Sequence, residues 1–186
     1  NYAIRQGSLR AAERFVELAR SHYHGAGDLG RGAMVDMVSG WIEVLRGQWR
    51  TGEQLLREAE DRARLDDMWF AFALRCTRLL LLAPFLPDET LREVEQLLPS
   101  QRGNAKIEGI LLQARAAALL ATGDAAAAVT DATDALRVNP SPFDGITGHV
   151  LLARALSGVG EVRAADAAAQ ASLDLCDRFA CTYWSA

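Results

Sequence analysis

Three histidines, three cysteines and a scatter of carboxylates are the side chains with which this chain could bind a metal, move protons or attack an electrophile. His22 and His24 stand two apart, which on a helix turns them to opposite sides, whereas ligands that share one ion sit at i, i+3 or i+4. They read as surface or helix-end residues, and His149 stands alone. Cys176 and Cys181 are five apart, which misses the Cys-x-x-Cys spacing of a redox or zinc site, so they read as core thiols. A serine nucleophile needs to be presented on a Gly-x-Ser-x-Gly elbow, and the sequence has none. The carboxylate pairs Asp66-Asp67 and Glu58-Glu60 are expected on solvated helical faces. No catalytic set emerges, so a non-catalytic protein is expected, with no metal and no cofactor implied.

The elements that carry these residues must therefore explain the chain. Of its 186 residues, 50% are apolar, 24% charged and 7% aromatic, with a formal charge of −4, a composition that excludes a disordered tail and a disulfide scaffold. Lys106 is the only lysine, and Arg alternates with Asp and Glu without forming a basic block, so direct nucleic-acid binding is not expected. The longest apolar run, Leu79 to Leu86, falls far below the roughly 20 residues of a membrane span. Residues 1–20 are amphipathic and carry Glu13 and Glu17, unlike a signal peptide. Together with the scattered cysteines Cys76, Cys176 and Cys181, this places the chain in the reducing cytoplasm.

Self-similarity is the main signal. Gly7-Ser8-Leu9, Gly47-Gln48-Trp49, Gly123-Asp124-Ala125 and Gly160-Glu161-Val162 open similar stretches at intervals of 40, 76 and 37 residues. The long interval implies a missing marker near residue 85, where Pro84-Phe85-Leu86-Pro87-Asp88 breaks the chain instead. Five beyond each Gly stands a small residue (Ala12, Gly52, Ala128, Ala165) and twelve beyond another (Ala19, Ala59, Ala135, Ser172). A third lies seven before it at Gly40, Ala116 and Ala153. Small residues at such offsets let two helix backbones approach closely, and the offsets do not suit a strand. Each Gly then reads as a left-handed cap between two helices of a hairpin.

First helices are expected over 33–46, 67–83, 105–122 and 145–159, and second helices over 8–24, 50–65, 88–98, 125–138 and 161–178. Pro87 and Asp88 start the third second helix as cap and first-turn residues. Gly-rich residues 25–32 and Asn139 to Asp144 are expected as connections. The fold class is thus all-α, and residues 1–186 form one array of about five antiparallel hairpins. Gly7 follows so soon after the start, and 179–186 begin so late, that the chain reads as a piece of a longer array. The alternative is a capped end, with Tyr183 and Trp184 folded back on the last hairpin.

The run Gly123 to Val129, continuing through Ala135-Leu136 to Asn139-Pro140, closely resembles the second half of a tetratricopeptide repeat. The Gly160 and Gly7 units resemble it less completely. A period near 38 is similar to that of the longer-helix arrays in MalT- and LuxR-type bacterial regulators. The resemblance implies a right-handed α-solenoid serving as a sensor or docking arm of a larger signalling or transcriptional regulator. The nucleotide-binding and DNA-binding modules of those regulators are not in this sequence, which lacks a Gly-x-x-x-x-Gly-Lys-Ser/Thr loop and a basic recognition helix.

In such arrays the first helices line the concave surface, which by offset from the marker Gly would place Arg75, Gln113 and Arg154 there. The stripe Met34, Met37, Val38, Trp41, Ile42 and Leu45 keeps helical spacing and is either core or an adaptable Met-and-Trp patch on that groove, with Met37 and Trp41 its candidates for contact. Glu43 replaces the leucine found at 119 and 156, which suggests a rotated helix in that hairpin. The expected partner is a protein or peptide on the concave face, with a second copy of the chain or flanking modules as other occupants and no membrane partner. The alternative function is sensing of a small apolar ligand between Trp41, Trp69 and the Met pair. The Lys and Asn residues of the family's carboxylate clamp are not supplied, so capture of a peptide C-terminus is disfavoured.

Overall fold

A computed structural model describes residues 9–179, and among them all regular structure is helical. In chain order the helices are α1 (Leu9–Gly25), α2 (Leu29–Leu45), α3 (Trp49–Arg64), α4 (Met68–Leu82), α5 (Pro87–Gln101), α6 (Ala105–Thr122), α7 (Ala125–Val138), α8 (Pro142–Gly158) and α9 (Val162–Arg178). The all-α expectation holds, and most boundaries lie within three residues of those expected. Gly7, Cys181, Tyr183 and Trp184 lie outside the described residues.

The marker glycines act as the sequence predicts. Gly47, Gly123 and Gly160 have φ of 82°, 88° and 82°, a left-handed backbone that a Cβ would strain. After each, the next N–H turns back to the carbonyl five residues earlier: Gln48 to Glu43, Asp124 to Leu119 and Glu161 to Leu156, all at 2.9 Å. Because the backbone makes this bond, the side chain at the accepting position is free to vary. At Glu43 the carbonyl closes the same turn, while the carboxylate pairs with Arg46 at 2.9 Å.

Two stretches expected as connections are partly helical. Gly27, with φ of 68°, is a further cap outside the repeating series, and the Asp28 N–H returns to Tyr23 in the same pattern. The Asp28 side chain then accepts from the Arg31 N–H and starts α2 at Leu29, which takes Gly30 and Gly32 into the helix. Pro142 likewise opens α8 inside the stretch from Asn139 to Asp144, because an N1 proline lacks only an N–H that the helix does not use. Pro87 occupies the same position in α5 with Asp88 in its first turn, and that helix runs past Pro99 to Gln101.

The helices gather into two compact units, Asn1–Leu81 and Leu82–Ala186. In the first, consecutive helices pack in antiparallel fashion. Ala12 and Val16 of α1 meet Val35, Val38 and Ile42 of α2, and Ala33, Ala59, Ala63, Ala71 and Leu74 join α2, α3 and α4. At the crossing of α2 and α3, the Gly52 carbonyl lies 2.9 Å from where a Gly40 Cβ would stand, and the Gly40 carbonyl 2.8 Å from a Gly52 Cβ. These two backbones touch. Charged residues are also enclosed: Asp36 receives Arg62 and Arg20, and Glu60 receives Arg64 and Arg78.

In the second unit Ala116 to Ala118, Ala128, Ala132, Leu151 and Ala155 form one core with Ala83. Arg115 of α6 makes a two-pronged bond to Asp131 of α7, both contacts at 2.6 Å, which raises its guanidinium pKa still further. The Ser172 hydroxyl ties α9 to the Ile146 carbonyl of α8 at 3.3 Å. Most small residues found by spacing are buried, among them Ala12, Gly52, Ala59, Ala128, Ala135, Ala165 and Ser172, while Ala19 and Ala153 are half-buried.

Candidate interaction surface

The stripe on α2 splits between core and surface, because a straight helix with apolar residues on more than one face cannot bury them all. Val38 and Ile42 are buried against α1, and Trp41, Met37 and Leu45 are half-buried around the same cluster. Trp41 keeps its indole N–H buried with no hydrogen-bond partner. Met34, in contrast, is exposed. On α4 the half-buried Arg75 follows Leu74 of the core and precedes Cys76, whose thiol it tends to acidify. Burial outweighs that effect and pushes the Cys76 thiol up to about 12.

In the second unit the expected surface residues have different fates. Gln113 is 2% exposed, and its amide donates to the Asp144 carbonyl at 2.8 Å, joining the middle of α6 to the first turn of α8. Asn139 completes this junction by donating to the Asp144 carboxylate at 2.9 Å, with its Cβ packed where Gly109 leaves room. Gln113 thus holds two parallel helices in register, as it is too deeply enclosed to meet a partner. Arg154 on α8 is exposed. His149 on the same helix has a buried Nδ1 without a partner, and burial lowers its pKa, keeping the ring neutral.

No family model, curated protein or solved structure matches this chain.

Of the residues singled out for chemistry, the His24 side chain and Cys181 lie outside what the structure describes. His22 is exposed on α1, edge-on to the Tyr23 ring. Cys176 is a buried thiol, as its spacing suggested, and so is Cys76. No group of three or more His, Cys, Asp or Glu that could hold a metal occurs among the described residues. Two carboxylate expectations need correction. Glu60 is buried rather than solvated, because the buried Arg78 pairs with it from the next helix and the half-exposed Arg64 reaches it from the surface side. Asp66 and Asp67 lie in the turn before α4, where the Asp67 carboxylate accepts the N–H groups of Trp69 and Phe70 and caps the helix.

That turn carries a surface that helical spacing does not reveal. Leu65 is 77% exposed, Met68 68%, Trp69 55% and, on α2, Met34 50%. Asp66 brings the turn to α2, its carboxylate oxygen 2.6 Å from where a Gly30 Cβ would stand. Trp69 rests on Phe72 at 6.0 Å between ring centroids. The sequence suggests Trp69 only as a wall for an apolar ligand beside Trp41, but Trp41 belongs to the α1–α2 core cluster and Trp69 faces solvent. The available signal is Leu65-Asp66-Asp67-Met68-Trp69 itself, an apolar cluster interrupted by two turn-forming acids.

Proposed function

We propose that the chain is a non-catalytic protein-interaction module, a tetratricopeptide-like α-solenoid of about five hairpins that serves as a sensor or docking arm of a larger bacterial signalling or transcriptional regulator. The observation that supports it is the recurrence of one hairpin. At Gly47, Gly123 and Gly160 the same left-handed cap and the same returning hydrogen bond join two helices. Small residues lie at the same two offsets in each, at Gly40 and Gly52, Ala116 and Ala128, and Ala153 and Ala165. A hairpin repeated in this way buries its apolar faces on its neighbours and leaves the first helices as a continuous wall. First helices that approach one another with a shift near one period add support, with Ala33 and Ala71 in one core cluster of the first unit and Gln113 meeting Gly148 in the second.

In this reading the partner is a protein or peptide held on the first-helix faces, and Arg75 and Arg154 contribute charge there. The module works in the cytoplasm by binding alone; no helix among the described residues is long and apolar enough to cross a membrane. The test is affinity capture by the tagged chain, followed by binding measurements with each purified protein recovered. A real partner loses affinity with Arg75→Glu or Arg154→Glu while helicity and melting temperature stay unchanged. Binding indifferent to both changes, or a melt shifted by apolar metabolites and by no protein, would refute the proposal.

A further inference from the structure

We infer that the patch formed by Met34, Leu65, Met68, Trp69 and Phe72 docks an amphipathic helix of a partner protein, with apolar residues on its inner face and Lys or Arg at its margins. This rests on the interaction-module reading and names the partner's chemistry. Single exposed apolar residues are ordinary, but Leu65, Met68 and Trp69 stand exposed within five residues of chain, and Asp66 among them reaches Gly30, one turn before the exposed Met34 of α2. Trp anchors and Met adaptability are the properties concentrated at protein interfaces. Trp69 is already held against Phe72, and its backbone N–H is fixed by Asp67, so little order need be lost on binding.

Charge selects the occupant. Asp66 is exposed and has no cationic partner among the described residues, and Asp67 beside it adds a second negative charge. Of the cations near this turn in sequence, Arg31 pairs with Asp28, Arg62 with Asp36, and Arg64 with Asp61 and Glu60. The rim therefore attracts a cationic partner and repels an anionic lipid surface. A second copy of this chain would set one acidic pair against another across a two-fold axis, which disfavours self-pairing. A helical surface offers no sheet edge to an extended peptide, so the complementary shape is a helix whose own backbone is satisfied.

Two synthetic helical peptides with the same leucine stripe test this, one with lysine and one with glutamate at the remaining positions, titrated calorimetrically into the full chain. The lysine peptide is expected to saturate at one site, and the glutamate peptide to bind about tenfold more weakly or worse. Trp69→Ala should weaken the lysine peptide about tenfold or more, and Asp66→Asn should weaken it severalfold, with circular dichroism unchanged. Equal binding of both peptides overturns the charge selection, and indifference to Trp69→Ala overturns the site. Self-association that Trp69→Ala abolishes, with no peptide binding, assigns the patch to a second copy and also overturns the proposal. Binding weakened by Arg154→Glu but not by Trp69→Ala would sink this site and leave the interaction module standing.

Discussion

Replacing Gly52 by Ala separates helix propensity from helix contact. An alanine within a helix is favoured over glycine by about 1 kcal/mol, so from propensity alone Gly52→Ala should stabilise α3. The structure reverses the sign. A Cβ at Gly52 would stand 2.8 Å from the Gly40 carbonyl oxygen, 2.6 Å from Val44 Cγ2 and 3.1 Å from the Val44 nitrogen. Ordinary contact begins at 3.4 Å, so α2 and α3 must part by roughly 0.6 Å, and two of the three obstacles are backbone atoms that cannot rotate away. Overpacking of this kind costs about 3 kcal/mol at the upper end, which leaves a net loss near 2 kcal/mol. Gly25 is the control: it ends α1 with nothing within 4 Å of the place a methyl would take, so Gly25→Ala should be neutral or stabilising by up to about 1 kcal/mol. Urea unfolding followed by circular dichroism and tryptophan fluorescence measures both. If Gly52→Ala stabilises as much as Gly25→Ala, the two backbones do not touch and the small-residue register has no packing meaning.

Arg115→Met should cost about 2–3 kcal/mol by stranding the buried Asp131 carboxylate, less than a fully enclosed pair because the arginine is partly exposed, and Asp131→Leu added to it should restore most of the loss in a double-mutant cycle. Cys76, with its thiol pushed up to about 12, should resist iodoacetamide at pH 8 in the native chain and react in urea, as read by peptide mass; rapid native labelling would mean that α4 is open. His149 is held neutral, so its folded pKa lies below the unfolded value. Its contribution to stability is complete above about pH 6.5 and is lost as the pH falls toward the folded value. His149→Leu should flatten that part of the stability curve, and an unchanged slope would mean that the ring is not desolvated.

Local chemistry made most of the helices legible. Gly47, Gly123 and Gly160 carry their conformation in the absence of a Cβ, Pro87 and Pro142 start helices by lacking an N–H, and the small residues at fixed offsets declare where backbones approach. Each is a property of one residue and its near neighbours, so a linear pattern records it. Gly27 is hidden in that pattern because it lies among other glycines, and only the hydrogen bond from Asp28 to Tyr23 distinguishes it as a cap.

The surface was far less legible. Gln113, Arg75 and Arg154 occupy comparable places in the pattern, yet one is buried across α8, one is half-buried and one is exposed. Glu60 reads like any solvated glutamate until Arg78, on the next helix, encloses it. The Trp69 surface shows only in the packed chain, where Leu65, Met68 and Trp69 stay uncovered and Asp66 brings their turn to Gly30 of α2. Helix caps and crossings depend on bonds within a few turns of chain, which sequence spacing preserves. Exposure depends on which distant helix covers a side chain, and that is decided only when the helices pack.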